Sequence, residues 1–160
     1  MRVICVDMSR LALIRLKYSV RRIVPTAKIY TCQTSETAFQ IANKKGCDVL
    51  LTEFNVSNRF ASGYDLAKRI KEINPRLNIV FITECFGHEV FSRVFDVRAS
   101  GYVKKPYDTQ ALLNEFQDLR YPVGVNISSS GRAANTRMHA ASAATTWRKK
   151  LRQLREGISK

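Results

Sequence analysis

Apolar runs of strand length alternate with amphipathic stretches of helical period through the first 120 residues. "RVICVD" reads as a first strand. "SRLALIRLKYSVRRI" follows it with Leu11, Ile14, Leu16, Tyr18 and Ile23 at helical spacing, opened by Ser9 as N-cap and closed before Pro25. "AKIYTCQT" predicts a second strand, and "SETAFQIANKKG" a helix capped by Thr34 or Ser35 and ended by Gly46. "CDVLLTEF" barely alternates, as a parallel strand buried on both faces should not. "NVSNRFASG" reads as a loop and "YDLAKRIKEINP" as a helix stopped at Asn74-Pro75. "LNIVFITE", "GHEVFSRVFDVRA", "SGYVKKP" and "DTQALLNEFQDLR", the last capped by Asp108, complete five strand-helix units.

This pattern predicts an α/β fold: a doubly wound, five-stranded parallel sheet occupying residues 1–121. Such sheets keep their chemistry in the crevice at the carboxyl ends of the strands, which directs attention to Asp7, Met8, Glu53, Thr83 and Lys105.

After Pro122 the pattern stops. "VGVNISSSGRAANTRMHAASAATT" is rich in Ser, Ala, Gly, Asn and Thr with few large apolar residues, and predicts a flexible linker over 122–145. "TTWRKKLRQLREG" then places Trp147, Leu151 and Leu154 on one side and basic residues on the other, predicting a short basic amphipathic helix within 146–160.

Charge sharpens this division. The chain has 27 Lys and Arg against 13 Asp and Glu, a net +14 and a pI near 10.1, which favours acidic partners such as nucleic acid. Half of that excess lies in 121–160, where Glu156 is the sole acid. Arg148, Lys149, Lys150, Arg152 and Arg155 are clustered densely enough for salt-sensitive contact with DNA phosphates.

Cys5, Cys32, Cys47 and Cys85 are too widely spaced for a zinc site or disulfide framework and read as buried thiols in a reducing compartment. His88 and His139 have no ligand partners at metal spacing. No apolar run approaches the ~20 residues of a membrane span, so a cytoplasmic protein without membrane contact is expected.

One acid after the first strand, one after the third, a Thr ending the fourth and a Lys-Pro ending the fifth form a constellation. It resembles the receiver domain of two-component response regulators. The closest local likeness is to regulators with "ICVDDEPLAL"- and "ASGYLLKP"-type segments, here "ICVDMSRLAL" and "ASGYVKKP". The resemblance covers about three quarters of the chain and implies the flavodoxin-like strand order 2-1-3-4-5. It places the Mg²⁺-binding acid pair on Asp7 and Met8, the phosphoacceptor on Glu53, the stabilising hydroxyl and amine on Thr83 and Lys105, and the switch aromatic on Tyr102.

Three departures mark the chain as an atypical, pseudo-receiver version. Met8 offers a thioether where a hard cation needs oxygen, so a degraded Mg²⁺ site and no cofactor are expected. Glu53 is one methylene longer than Asp and carries its carboxylate towards where a phosphoryl oxygen would sit. Glu84 stands where the family keeps a small residue, repelling a phosphoryl donor unless Lys104 or Lys105 draws it away.

Three states of Glu53 follow: a permanent mimic of the acyl phosphate paired with Lys105 and hydrogen-bonded to Thr83, an inert substitute, or a residual acceptor. The expected role is non-enzymatic: signal transduction and transcription regulation through protein contacts. The resemblance implies a partner or homodimer at the fourth-helix, fifth-strand, fifth-helix face. The alternative is a nucleic-acid-binding protein that uses its basic tail, with the receiver as dimerisation scaffold.

Overall fold

A computed structural model of the chain describes residues 1–59, 62–121 and 123. The expected linker, apart from Val123, and the basic helix carrying Arg148, Lys149, Lys150, Arg152 and Arg155 lie outside the described residues. Five strands, β1 (Arg2–Val6), β2 (Lys28–Cys32), β3 (Val49–Thr52), β4 (Asn78–Thr83) and β5 (Gly101–Lys104), pair in parallel in the order β2-β1-β3-β4-β5. Five helices alternate with them: α1 (Arg10–Ile23), α2 (Ser35–Lys45), α3 (Ser62–Ile73), α4 (His88–Asp96) and α5 (Thr109–Gln117).

The period-two geometry of the strands divides the core into two layers. Ile4, Val6, Leu50, Ile79 and Phe81 face α2, α3 and α4. Val3, Cys5, Val49, Leu51, Val80 and Ile82 face α1 and α5 with Leu13, Leu16, Val20, Leu112 and Phe116. β1, β3 and β4 are therefore apolar on both faces, which explains their unbroken hydrophobic runs. Each fully buried Leu, Ile, Val or Phe among them contributes about 1.5–3 kcal/mol by leaving water.

The caps agree with the sequence. The side chains of Ser9, Thr34 and Asp108 accept hydrogen bonds from Ala12, Thr37 and Ala111 N–H, starting α1, α2 and α5. Gly46 ends α2 at φ 76°. Two readings change. α3 begins at Ser62, so Ser62 and Gly63 belong to the helix and not to the preceding loop. On α1, Leu11, Ile14 and Tyr18 are 58%, 65% and 62% exposed, because Leu13, Leu16, Ser19, Val20 and Ile23 form the inner face. Helical spacing alone identified an apolar stripe without saying which stripe meets the sheet.

Among the described residues, no helix is long and apolar enough to cross a membrane.

Candidate functional site

Because β2 lies on one side of β1 and β3 on the other, the loops leaving β1 and β3 diverge and open a crevice at their carboxyl ends. Backbone pairing continues to its rim: Glu53 N–H donates to Val6 O at 2.9 Å and Lys105 N–H to Thr83 O at 2.9 Å. Asp7, Glu53, Thr83 and Lys105 thus arrive together as a direct result of strand register.

Lys105 is at the centre. Its Nζ lies 2.6 Å from Asp7 Oδ2 and 2.5 Å from Glu53 Oε2, forming one ammonium bridge between two carboxylates. All three side chains are less than a fifth exposed, so the bridge is only weakly screened by solvent. Burial, the largest single influence, works against the Lys105 charge, but the hydrogen bonds and charges of Asp7 and Glu53 outweigh it and raise its pKa above the ordinary lysine value.

The remaining carboxylate oxygens are also satisfied. Asp7 Oδ1 accepts from Ser9 N–H at 2.8 Å, tying the acid to the start of α1. Glu53 Oε1 accepts from Phe54 N–H at 2.7 Å. The expected Glu53–Thr83 hydrogen bond is not formed: Thr83 Oγ1 instead accepts from Cys85 N–H at 3.1 Å. The extra methylene lets the Glu53 carboxylate fold back over its own backbone while still reaching Lys105.

Glu84 also departs from expectation. Neither neighbouring lysine draws it in: Lys105 holds Asp7 and Glu53, and the Lys104 ammonium lies 5.4 Å from the Phe86 ring centroid. Glu84 is exposed at the rim. Met8 is 38% exposed, and its carbonyl accepts from Gln33 Nε2 at 2.8 Å.

Mg²⁺ takes near-octahedral oxygen ligands. Here the two facing carboxylates already share an ammonium, and the next position in sequence carries a thioether. The residues present do not fit the ion.

Cys85 links the crevice to Tyr102, a connection that the sequence did not reveal. Its N–H donates to Thr83, its Sγ accepts from Asn55 Nδ2 at 3.0 Å, and its carbonyl accepts from the Tyr102 hydroxyl. Tyr102 is buried, and desolvation pushes its phenol up to about 12. Its ring packs 5.3 Å from Phe91, which packs edge-on against Phe86 at 5.0 Å. Cys85 is half-buried, whereas Cys5, Cys32 and Cys47 are buried thiols whose pKa values desolvation raises.

Gly63 supports the crevice from behind. A Cβ there would stand 1.9 Å from Glu53 O and 2.9 Å from Thr52 Oγ1. A glycine in "ASG" reads as a loop residue; only the packing of α3 on β3 gives it this role.

Comparison with known proteins finds a match to the family described as the response regulator receiver domain over residues 3–117. The chain is 30% identical over 112 residues to the sensory transduction protein LytT of Bacillus subtilis, covering 70% of this chain and 45% of LytT. It is 27% identical over 111 residues to the transcriptional regulatory protein NatR of the same organism, covering 69% and 46%. The chain spans about half the length of these curated relatives. A structure of RcsB from Salmonella enterica serovar Typhimurium, bound to promoter rprA in the presence of phosphomimetic BeF3−, matches with a TM-score of 0.64 and 24% identity, covering 77% of this chain and 70% of RcsB.

Proposed function

This chain belongs to the response-regulator receiver family, and from that premise we propose that it acts as a pseudo-receiver in which Glu53 stands in for a phosphorylated aspartate. The observation that carries this reading is the Lys105 bridge. The carboxylate of Glu53 holds the Lys105 amine at 2.5 Å, as an acyl phosphate would, while Tyr102 is buried against the Cys85 carbonyl. The lack of a fitting Mg²⁺ donor set at Asp7 and Met8 supports loss of the phosphorylation reaction itself.

The output is signalling and transcription regulation in the cytoplasm through protein contacts at the α4-β5-α5 face, either with a partner or a second copy. The names of the relatives LytT and NatR support this class. Incubation with acetyl phosphate and Mg²⁺ followed by intact-mass measurement tests it. No phosphorylation is expected, and a stable gain of one phosphoryl mass on Glu53 overturns the reading. A mimic also differs from an inert site in solution: Glu53→Gln should weaken self-association or partner binding at that face, whereas no change assigns Glu53 to a silent structural pair.

A second reading rests on the charge of residues 121–160. In it Arg148, Lys149, Lys150, Arg152 and Arg155 contact DNA phosphates, as RcsB is described bound to a promoter. Duplex binding with a steep salt slope, lost on deleting 145–160, supports it; no binding at low salt excludes it.

A further inference from the structure

At the edge of the sheet where the strands begin, the buried side chain of Asn78 gathers three segments of the chain. Its Oδ1 accepts from Ser100 Oγ at 3.0 Å and from Tyr121 N–H at 2.9 Å, and its Nδ2 donates to Tyr121 O at 3.0 Å. Each segment brings an arginine with it: Arg76 two residues before Asn78, Arg98 two before Ser100 and Arg120 directly before Tyr121. All three are exposed, and among the described residues none is held in an ion pair. Lys71 stands with them, its ammonium donating to Val97 O; burial and then the charges of Arg120 and Arg98 lower its pKa. Arg98 has φ 50°, just beyond α4, in the left-handed conformation where helices usually end on glycine. The backbone gains nothing from an arginine there, so it is the side chain that needs a purpose. Lys44 and Lys45, at the end of α2, extend the positive charge along the same edge, joined to it through Arg2, whose Nη1 donates to Lys45 O at 2.9 Å. Between the two basic groups lies a groove of about 820 Å³ lined in part by Arg2, Asn43, Asn74, Arg76 and Tyr121. Of the carboxylates on this edge, Asp48 is paired with Arg2 and Asp96 accepts from the Tyr64 hydroxyl at 2.6 Å; Glu72 and Asp118 are the others.

We infer that this edge of the receiver binds the sugar-phosphate backbone of duplex DNA through Arg76, Arg98 and Arg120. Cations in the last turn of a helix serve its dipole, but these three lie beyond the ends of α3, α4 and α5, where that effect has faded. A guanidinium presents a planar fork that matches phosphate oxygens two at a time. Duplex DNA offers one charge per ~1.7 Å of its axis, so arginines fixed around a common anchor meet phosphates in any register. An acidic protein would need carboxylates placed to match each of them. The amides of Asn43 and Asn74 add donors of the kind that phosphate and sugar contacts use. This site does not rest on the tail cations of the second reading. It lies beside them in sequence only, since the chain leaves Asn78 at Tyr121 and the cation-rich stretch 121–160 begins there.

The test uses the full chain and a fluorescent mixed-sequence duplex of about 20 base pairs, titrated between about 50 and 200 mM salt. The triple variant Arg76→Gln, Arg98→Gln, Arg120→Gln is expected to bind about tenfold more weakly or worse, with the slope of log K against log salt smaller by about 2–3, near 0.9 for each lost phosphate contact. The control Arg10→Gln, Arg15→Gln, Lys17→Gln removes the same charge from α1 and should stay within about threefold of wild type. Arg76→Lys, Arg98→Lys, Arg120→Lys keeps the charge and should restore most of the affinity. Circular dichroism verifies the fold, and amide shifts of the unsubstituted chain give a readout free of any variant: duplex should move Arg98, Ser100 and Tyr121 and leave Asp7 and Glu53 in place. The inference is overturned if the two Gln triples lose affinity alike, if the triple at 76, 98 and 120 binds as wild type does, or if no duplex binds at low salt. It is also overturned if that triple loses only phosphatidylserine vesicles or polyglutamate and not the duplex. Changing Arg148, Lys149, Lys150, Arg152 and Arg155 to Gln tests the tail separately. Loss there alone supports the tail and overturns the edge site; loss on changing 76, 98 and 120 alone supports the edge site and overturns the tail.

Discussion

Glu53 and Asp7 share a single ammonium: Lys105 Nζ stands 2.5 Å from one carboxylate and 2.6 Å from the other. Removing that charge leaves buried Asp7 and part-buried Glu53 facing each other. Lys105→Met should therefore destabilise the domain by about 3 kcal/mol, the range for breaking a buried ion pair from one side. Urea unfolding measures this, and a change within a few tenths of a kcal/mol would show that the bridge contributes nothing net.

The same bridge sets an alkaline limit. The Lys105 pKa is raised in the folded state, so its contribution is fully present below the unfolded lysine value of about 10.4 and is lost as pH rises through the higher folded value. The stability difference between wild type and Lys105→Met should be flat from pH 7 to 9.5 and shrink above that. A difference that declines between pH 7 and 9 would assign the stabilisation to another group.

The proposed loss of phosphorylation is tested by reversing the two departures at the crevice. Glu53→Asp withdraws the carboxylate from Lys105, and Met8→Asp supplies an oxygen donor. The double variant should take up a phosphoryl group from acetyl phosphate only with Mg²⁺ present, while each single variant remains at or near background by intact mass. Equal labelling of Glu53→Asp alone would show that Met8 is no obstacle.

Tyr102→Phe keeps the ring on Phe91 but leaves the Cys85 carbonyl without its donor, at a cost of about 1 kcal/mol. Carbon-13 tyrosine spectra should show the wild-type Tyr102 phenol still protonated at pH 11, consistent with its value of about 12. Titration near 10 would place the ring in water.

Gly63→Ala drives a methyl towards the Glu53 carbonyl, a backbone atom that cannot swing aside. A loss of about 1–3 kcal/mol is expected from overpacking. Thermal unfolding reports it, and amide shifts at Glu53 and Phe54 should move with it. An unperturbed spectrum would mean that α3 stands further from β3.

The sequence made the architecture legible because each strand and helix follows its own period, and the caps Ser9, Thr34 and Asp108 carry side chains suited to one task. The crevice residues were legible for the same reason: strand ends align when register is parallel. Three features depended on packing in three dimensions. Leu11, Ile14 and Tyr18 share helical spacing with the inner residues of α1, so only the position of the sheet distinguishes the two sides. The second hydrogen bond of Glu53 goes to its own neighbour's N–H, a fold-back that no spacing rule encodes. Cys85 connects Thr83 to Tyr102 mainly through its backbone, and backbone groups are the same in every residue.

Asn78 holds the end of the described chain. Its side chain accepts from Tyr121 N–H at 2.9 Å and donates to Tyr121 O at 3.0 Å, and it begins the strand that finishes at Thr83. Five steps of about 3.3 Å separate the two ends of β4. The Asn78–Tyr121 contact and the crevice at Glu53 and Lys105 therefore lie at opposite ends of the sheet, with β4 running between them.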